Sequence, residues 1–238
     1  MSAFLDATLV STHALTPRVK QLLLRVEGHT FDYSPGQHVS VRRTTDDGPV
    51  FRPYSPVSLP GTDTIALAIK RYEGGVCSPW LHERQVGDSI TLTPPSGNLH
   101  LQDPDRDALF LATGTGLTPM LAMLTQYTRE GTGHATLLFG ERTQEDLMYR
   151  ATLNRLAASH PNVTVRFVLS HEDWQGPTGF VQDHLDAALA DLEAPHAYVC
   201  GVPQMVVDAK AALADADVAD DHVFSEGWEE GALEEENA

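Results

Sequence analysis

Four short stretches carry residue types suited to holding anions and flat rings. The first is FRPYSPVS, residues 51–58, which sets Arg52, Tyr54 and Ser55 close together around Pro53. In an extended chain alternate side chains share a face, so Arg52 and Tyr54 point one way and Ser55 the other. A guanidinium beside a phenol on one face suits a ligand that is both planar and anionic. The plainer reading is an edge strand with Pro53 where no ladder donor is needed. The second is GGVCSPWL, residues 74–81, where Gly74, Gly75, Val76, Cys77 and Ser78 lead into a short helix. Ser78 before Pro79 reads as an N-cap followed by an N1 proline, and an anion on the same N–H groups is compatible with that. The third is ATGTGLTPML, residues 112–121: an apolar strand, then Gly114, Thr115 and Gly116, then a helix with Pro119 in its first turn. Glycines let backbone N–H groups approach a phosphate, and the helix N-terminus favours negative charge. With Pro119 near the place of the third glycine, it departs from the G-x-G-x-x-G dinucleotide pattern. The fourth is YVCGVPQMV, residues 198–206, a strand-to-helix turn holding Cys200, Gly201 and Met205. Cys200 reads either as a buried small thiol or as a soft side chain beside a reacting ring.

Two kinds of element must position these stretches. Residues 7–95 read as six short strands, near TLV, VKQLLLRV, QHVSVRR, VFRPYSPVSL, TIALAIKRYE and DSITLTPP, separated by turn chemistry such as SPGQ, DDGP and PGTD. That pattern predicts an antiparallel β-barrel or sandwich, with one short helix at about residues 78–85. From Asp107 strands alternate with helices: ALFLATG, a helix over 117–130 with Met120, Leu121, Leu124 and Tyr127 on one face, HATLLFGER, a helix over 145–160, VTVRFVLS, a helix over 180–190, HAYVCG, a helix over 203–216, and a closing strand HVFSEGW. Alternation of this kind predicts a doubly wound α/β parallel sheet, whose ligands sit at the carboxyl ends of the strands. The expected boundaries are 1–102 for the barrel, 103–228 for the α/β domain and 229–238 for an acidic tail.

Composition narrows the function classes. The 238 residues carry 16 basic and 33 acidic side chains, a formal net charge of −17. No nucleic-acid partner is therefore expected, because phosphate binding needs a basic face. No basic start precedes an apolar core at the N-terminus, and no apolar run approaches membrane-spanning length. A cytoplasmic protein with no membrane association, working as a monomer, is expected. The two cysteines, Cys77 and Cys200, make no metal-ligand spacing, and no metal site is expected.

Taken in order, R-x-Y-S (Arg52, Tyr54, Ser55), G-G-x-x-S (Gly74, Gly75, Ser78), G-T-G-x-x-P (Gly114, Thr115, Gly116, Pro119), C-G-x-x-x-M (Cys200, Gly201, Met205) and a closing E-x-aromatic (Glu226, Trp228) resemble the ferredoxin–NADP reductase superfamily of flavoproteins over nearly the whole chain. The resemblance implies an FAD-binding barrel and an NAD(P)-binding α/β domain. It implies that Arg52 pairs with the FAD pyrophosphate, Tyr54 packs on the isoalloxazine, Ser55 lies near flavin N5, and Ser78 with the Gly74–Gly75 turn completes the pyrophosphate cradle. On the other side Gly114, Thr115 and Gly116 would hold the NAD(P)H pyrophosphate, Cys200 and Glu226 would flank the nicotinamide, and Trp228 would cover the flavin. Ser55, Cys200 and Glu226 are the implied catalytic set. Arg142, after a strand, is a cation for a 2′-phosphate, or else a surface partner of Glu145 or Asp146; NADPH and NADH stay open. Ferredoxin or flavodoxin is the implied electron acceptor. A free-flavin reductase, an oxygenase reductase component and a non-catalytic electron-transfer subunit are the alternatives. A cluster of the plant ferredoxin type needs four cysteines, so this chain would meet one only in a partner.

Overall fold

A computed structural model describes residues 4–226; Trp228 and the acidic tail lie outside the described residues. The chain divides after His100 into two compact units.

The first unit is built on six strands: β1 (Leu5–Thr16), β2 (Val19–Arg25), β3 (Val39–Thr45), β4 (Gly48–Tyr54), β5 (Thr64–Lys70) and β6 (Ser89–Leu92), with one short helix, α1 (Cys77–His82), between the last two. They form an antiparallel sheet in the order β4-β3-β6-β1-β2-β5. β1 is far longer than the TLV run suggested. Irregularities between Leu9 and Ser11 and between Ala14 and Thr16 bend it so that it pairs with β6 at its start and β2 along the rest. The segment expected as one strand over residues 50–59 changes partner instead. It runs beside β3 up to Tyr54; past Ser55, Pro56 bridges Leu67, and the Val57 N–H donates to the Ala66 carbonyl at 2.9 Å. That change joins the two edges of the sheet and closes it toward a barrel. Leu9, Leu22, Leu24, Val39, Val41, Ile65, Leu67, Ile69 and Leu92 fill the interior.

The second unit has five parallel strands, β7 (Ala108–Thr113), β8 (Ala135–Glu141), β9 (Val163–Leu169), β10 (His196–Cys200) and β11 (Val223–Ser225), in the order β11-β10-β7-β8-β9. The helices between them are α2 (Leu117–Glu130), α3 (Arg150–Ser159), α4 (Leu185–Leu189) and α5 (Pro203–Asp215). Leu109, Leu111, Leu138, Val168, Ala197 and Val199 face α4 and α5, meeting Leu185, Met205, Val206 and Leu213. On the opposite face Phe110, Tyr198 and Phe224 stack in a row with centroids 5.2 and 5.4 Å apart. Met120, Leu121, Leu124 and Tyr127 are all buried along α2, as their spacing predicts. The helix expected over residues 145–160 begins only at Arg150. Gln144–Asp146 form one 3-10 turn, and Tyr149 takes a left-handed backbone (φ 55°), which an α-helix does not admit.

Candidate functional site

In the first unit the two motifs converge. β4 is an edge strand, and Pro53 lies opposite Ser40, whose N–H and carbonyl both bond Thr93 on the other side. Pro53 is thus never asked for a donor. The plain edge-strand reading holds, and it is compatible with the binding reading. Arg52 is exposed, donates to its neighbour's carbonyl at Phe51, and forms no ion pair among the described residues. Burial pushes the Tyr54 phenol well above its usual range, with Cys77 adding to the effect and Arg52 opposing it. Tyr54 therefore presents a neutral ring throughout the physiological range. Ser55 is buried, and its hydroxyl donates to the Gly36 carbonyl at 3.4 Å.

Ser78 does not cap α1. The helix begins one residue earlier, at Cys77, and Ser78 Oγ accepts the Tyr72 N–H at 3.1 Å, folding the Gly74–Gly75 turn back on the end of β5. This use leaves the hydroxyl hydrogen to donate elsewhere. The Cys77 thiol is raised by burial, and first Arg52, then Arg43, pulls it back. Arg52, Tyr54, Tyr72 and Cys77 thus share one electrostatic neighbourhood. Arg43, which the motifs did not single out, also belongs to it: its guanidinium donates to the Val76 carbonyl. Cationic and hydroxyl donors around a glycine turn fit a diphosphate, and the neutral ring of Tyr54 fits a flat ring system.

In the second unit the motif residues meet at the carboxyl ends of the parallel strands. Cys200 pairs with Ala112 across β10 and β7, and Val199 with Ser225, so Glu226 follows the last pairing on β11. β7 continues to β8 on one side and borders β10 on the other, so the order reverses there. Ligands of doubly wound sheets bind at this switch point. Gly114–Gly116 form a 3-10 turn leading into α2, with Pro119 in the helix's first turn. Gly116 has a reason inside the chain for lacking a side chain: a Cβ there would stand 2.2 Å from the Cys200 carbonyl oxygen. Gly201 is constrained in the same way, since its Cβ would stand 2.1 Å from Thr113 Oγ1 and 2.4 Å from Met205 Cε. Thr113 Oγ1 in turn accepts the Val202 N–H at 3.1 Å. The two turns are therefore interlocked, and Met205 is a buried core side chain beneath Gly201. Thr113 is a positioning residue that the motifs missed; its only signal is its place immediately before G-T-G. Cys200 is buried, and neither cysteine is in a disulfide. Arg142, after β8, is exposed and free of ion pairs among the described residues. Of its two expected partners, Asp146 instead accepts the Thr143 hydroxyl at 3.0 Å.

Two family models match the chain: an oxidoreductase FAD-binding domain over residues 6–101 and an oxidoreductase NAD-binding domain over residues 110–211. A ferredoxin–NADP reductase B of Sorangium cellulosum is 36% identical over 214 residues, covering 84% of this chain and 87% of its own length. The chain belongs to the ferredoxin–NADP reductase family. It is an oxidoreductase that uses FAD and NAD(P)H. The electron transfer component of an anthranilate 1,2-dioxygenase from Acinetobacter baylyi is 32% identical over 201 residues, covering 82% of this chain but 58% of that protein. Among solved structures, the ferredoxin reductase in carbazole 1,9a-dioxygenase superposes with a TM-score of 0.82 at 28% identity, covering 95% of this chain and 69% of that one. No helix among the described residues is long and apolar enough to cross a membrane.

Proposed function

We propose that this chain, a monomer in the cytoplasm, takes a hydride from NAD(P)H onto FAD and passes the electrons to a ferredoxin- or flavodoxin-like protein. FAD supplies the chemistry, accepting two electrons together and releasing them singly. The chain's residues bind and align. Arg52, Ser78 and the Gly74–Gly75 turn hold the pyrophosphate, Tyr54 lies against the ring, and Ser55 offers a hydroxyl toward its reacting edge. Gly114, Thr115 and Gly116 seat the nicotinamide nucleotide, and Cys200 and Glu226 border its ring.

The observation that supports this reading best is the interlock of the two turns, Gly116 on Cys200 and Gly201 on Thr113, which holds the G-T-G and C-G turns against each other. Arg142 is a cation available to a 2′-phosphate. The acidic Glu172 nearby is engaged by the Gln144 N–H and side-chain amide, both at 2.7 Å. The electron transfer component of a dioxygenase among the relatives supports a second reading, reductase for an oxygenase.

The test is a visible spectrum of the purified protein before and after anaerobic addition of NADPH or NADH in separate cuvettes, followed by oxidised ferredoxin. Bound yellow flavin, bleached by nucleotide and recoloured by ferredoxin, is the expected result. A colourless protein that reduces added flavin would replace this reading with a free-flavin reductase.

A further inference from the structure

We propose that Arg43 is the second cation of the FAD diphosphate seat in this chain. The inference rests on the FAD reading above and goes beyond it, because R-x-Y-S and G-G-x-x-S include no such residue.

In the β3–β4 ladder Val41 stands opposite Arg52, and Arg43 stands opposite Val50. Arg43 and Arg52 are therefore diagonal neighbours on one face of the sheet, a spacing that long side chains bridge. That face is the one Tyr54 shares, since Tyr54 pairs with Val39. Arg43 reaches the Val76 carbonyl, so it holds the turn between Gly75 and α1. Its guanidinium also lies 5.9 Å from the ring centre of Trp80, on α1, and the Arg84 guanidinium lies 5.0 Å from the same ring. Trp80 thereby fixes the direction from which Arg43 approaches.

Charge makes the case for a ligand. A diphosphate diester carries two negative charges, and Arg52 supplies one positive charge. Arg43 and Arg52 sit beside the same turn, and neither forms an ion pair among the described residues. One bond to a neutral carbonyl uses a fraction of the five N–H donors of Arg43, leaving its charge uncompensated. A pair of guanidinium groups beside a glycine turn is complementary to two linked phosphates and far less so to a single neutral ring.

The test compares apoprotein of the wild type with Arg43→Gln and Arg43→Lys, titrated with FAD and with riboflavin and followed by flavin fluorescence. Riboflavin shares the ring system and carries no phosphate. Arg43→Gln is expected to weaken FAD binding by about 10- to 100-fold, the range of a lost charge-assisted hydrogen bond, while riboflavin binding stays within about 2-fold. Arg43→Lys should recover part of the FAD affinity, since it keeps the charge and loses the fork. Unchanged FAD affinity in Arg43→Gln would overturn the proposal. So would equal losses for FAD and riboflavin, which would assign Arg43 to the shape of the turn alone. A wild-type apoprotein that binds neither flavin would instead defeat the FAD reading itself.

Discussion

At the scale of single residues, Gly116 and Gly201 have a packing reason to lack side chains besides the proposed approach of a nucleotide, and it is measurable without a ligand. The usual reason for Gly116 is the approach of a phosphate. Its hydrogen also faces the Cys200 carbonyl, where any side chain would meet backbone that has little room to yield. Gly116→Ala must therefore push the G-T-G turn away from β10 or displace the Cys200–Gly201 peptide. Overpacking of this kind costs about 1–3 kcal/mol. The expected phenotype is selective: purified Gly116→Ala remains yellow, because its FAD motifs lie in the other unit, but its bleaching by NAD(P)H slows by at least about 10-fold, as misplacement of a reacting group predicts. Anaerobic stopped-flow absorbance reads both properties. Bleaching at the wild-type rate would mean that the interlock does not set the nucleotide seat.

Among the elements, β10 ends at Cys200, one of the proposed site residues, and begins in a histidine cluster. It starts at His196, which is buried, with its Nδ1 unpartnered among the described residues. The His222 ring lies 5.0 Å away, and the Arg106 guanidinium donates to His222 Nε2 at 3.2 Å. Burial lowers the His196 pKa first, His222 and Arg106 lower it further, and Asp103 and Asp221 oppose them. Because the folded value lies below the unfolded one, the unfolded chain takes up the proton first as pH falls. His196 thus contributes stability that is complete above its unfolded pKa of about 6.5 and is lost as pH falls through the lower folded value. From pH 7.5 to 5 the amide protection factors along β10, corrected for the intrinsic slowing of exchange, should fall, and fall less in His196→Phe. An identical pH response in the two proteins would rule the cluster out. The elements also show what a sequence displays and what it hides. The buried face of α2 was legible because Met120, Leu121, Leu124 and Tyr127 repeat at helical spacing. The change from short strands to strand–helix alternation near Asp107 announced the two units. The start of α3 was hidden, since nothing in EDLMY announces the left-handed turn at Tyr149. The change of partner after Tyr54 was equally hidden, because Pro56 and Val57 read as strand whichever neighbour they join. Ser78 misled for a related reason: a serine before a proline suits a cap, but Tyr72, brought near by the glycine turn, offers its N–H to the same oxygen. In each case a partner distant in sequence, or a single dihedral angle, decided the outcome over local propensity.

Over the whole molecule, charge is distributed unequally. Residues 1–100 hold nine basic and nine acidic side chains, whereas residues 101–238 hold seven and twenty-four, so the entire net charge of −17 belongs to the second unit. This bears on how so acidic a protein would meet an acidic electron carrier. The first unit is neutral in sum, and Arg42, Arg43, Lys70 and Arg71 lie on or beside the strands that carry the flavin motifs. Arg42 and the exposed Phe4 and Phe51 form a group on the outer face of β3 and β4, with the Arg42 guanidinium 5.2 Å from the centre of the Phe4 ring. Two opposing salt effects follow. Long-range repulsion from the second unit is screened at modest ionic strength, where the Debye length is about 10 Å at 0.1 M, whereas close attraction at an arginine patch survives until screening reaches about 3 Å at 1 M. Ferredoxin reduction by the holoenzyme should therefore rise with added salt and then fall, while reduction of a small neutral quinone stays nearly flat. Arg42→Glu should remove the attractive contribution, lowering the maximum without changing bleaching by NAD(P)H. If Arg42→Glu leaves the ferredoxin curve unaltered, the carrier meets a different surface, and the neutrality of the first unit has no part in partner choice.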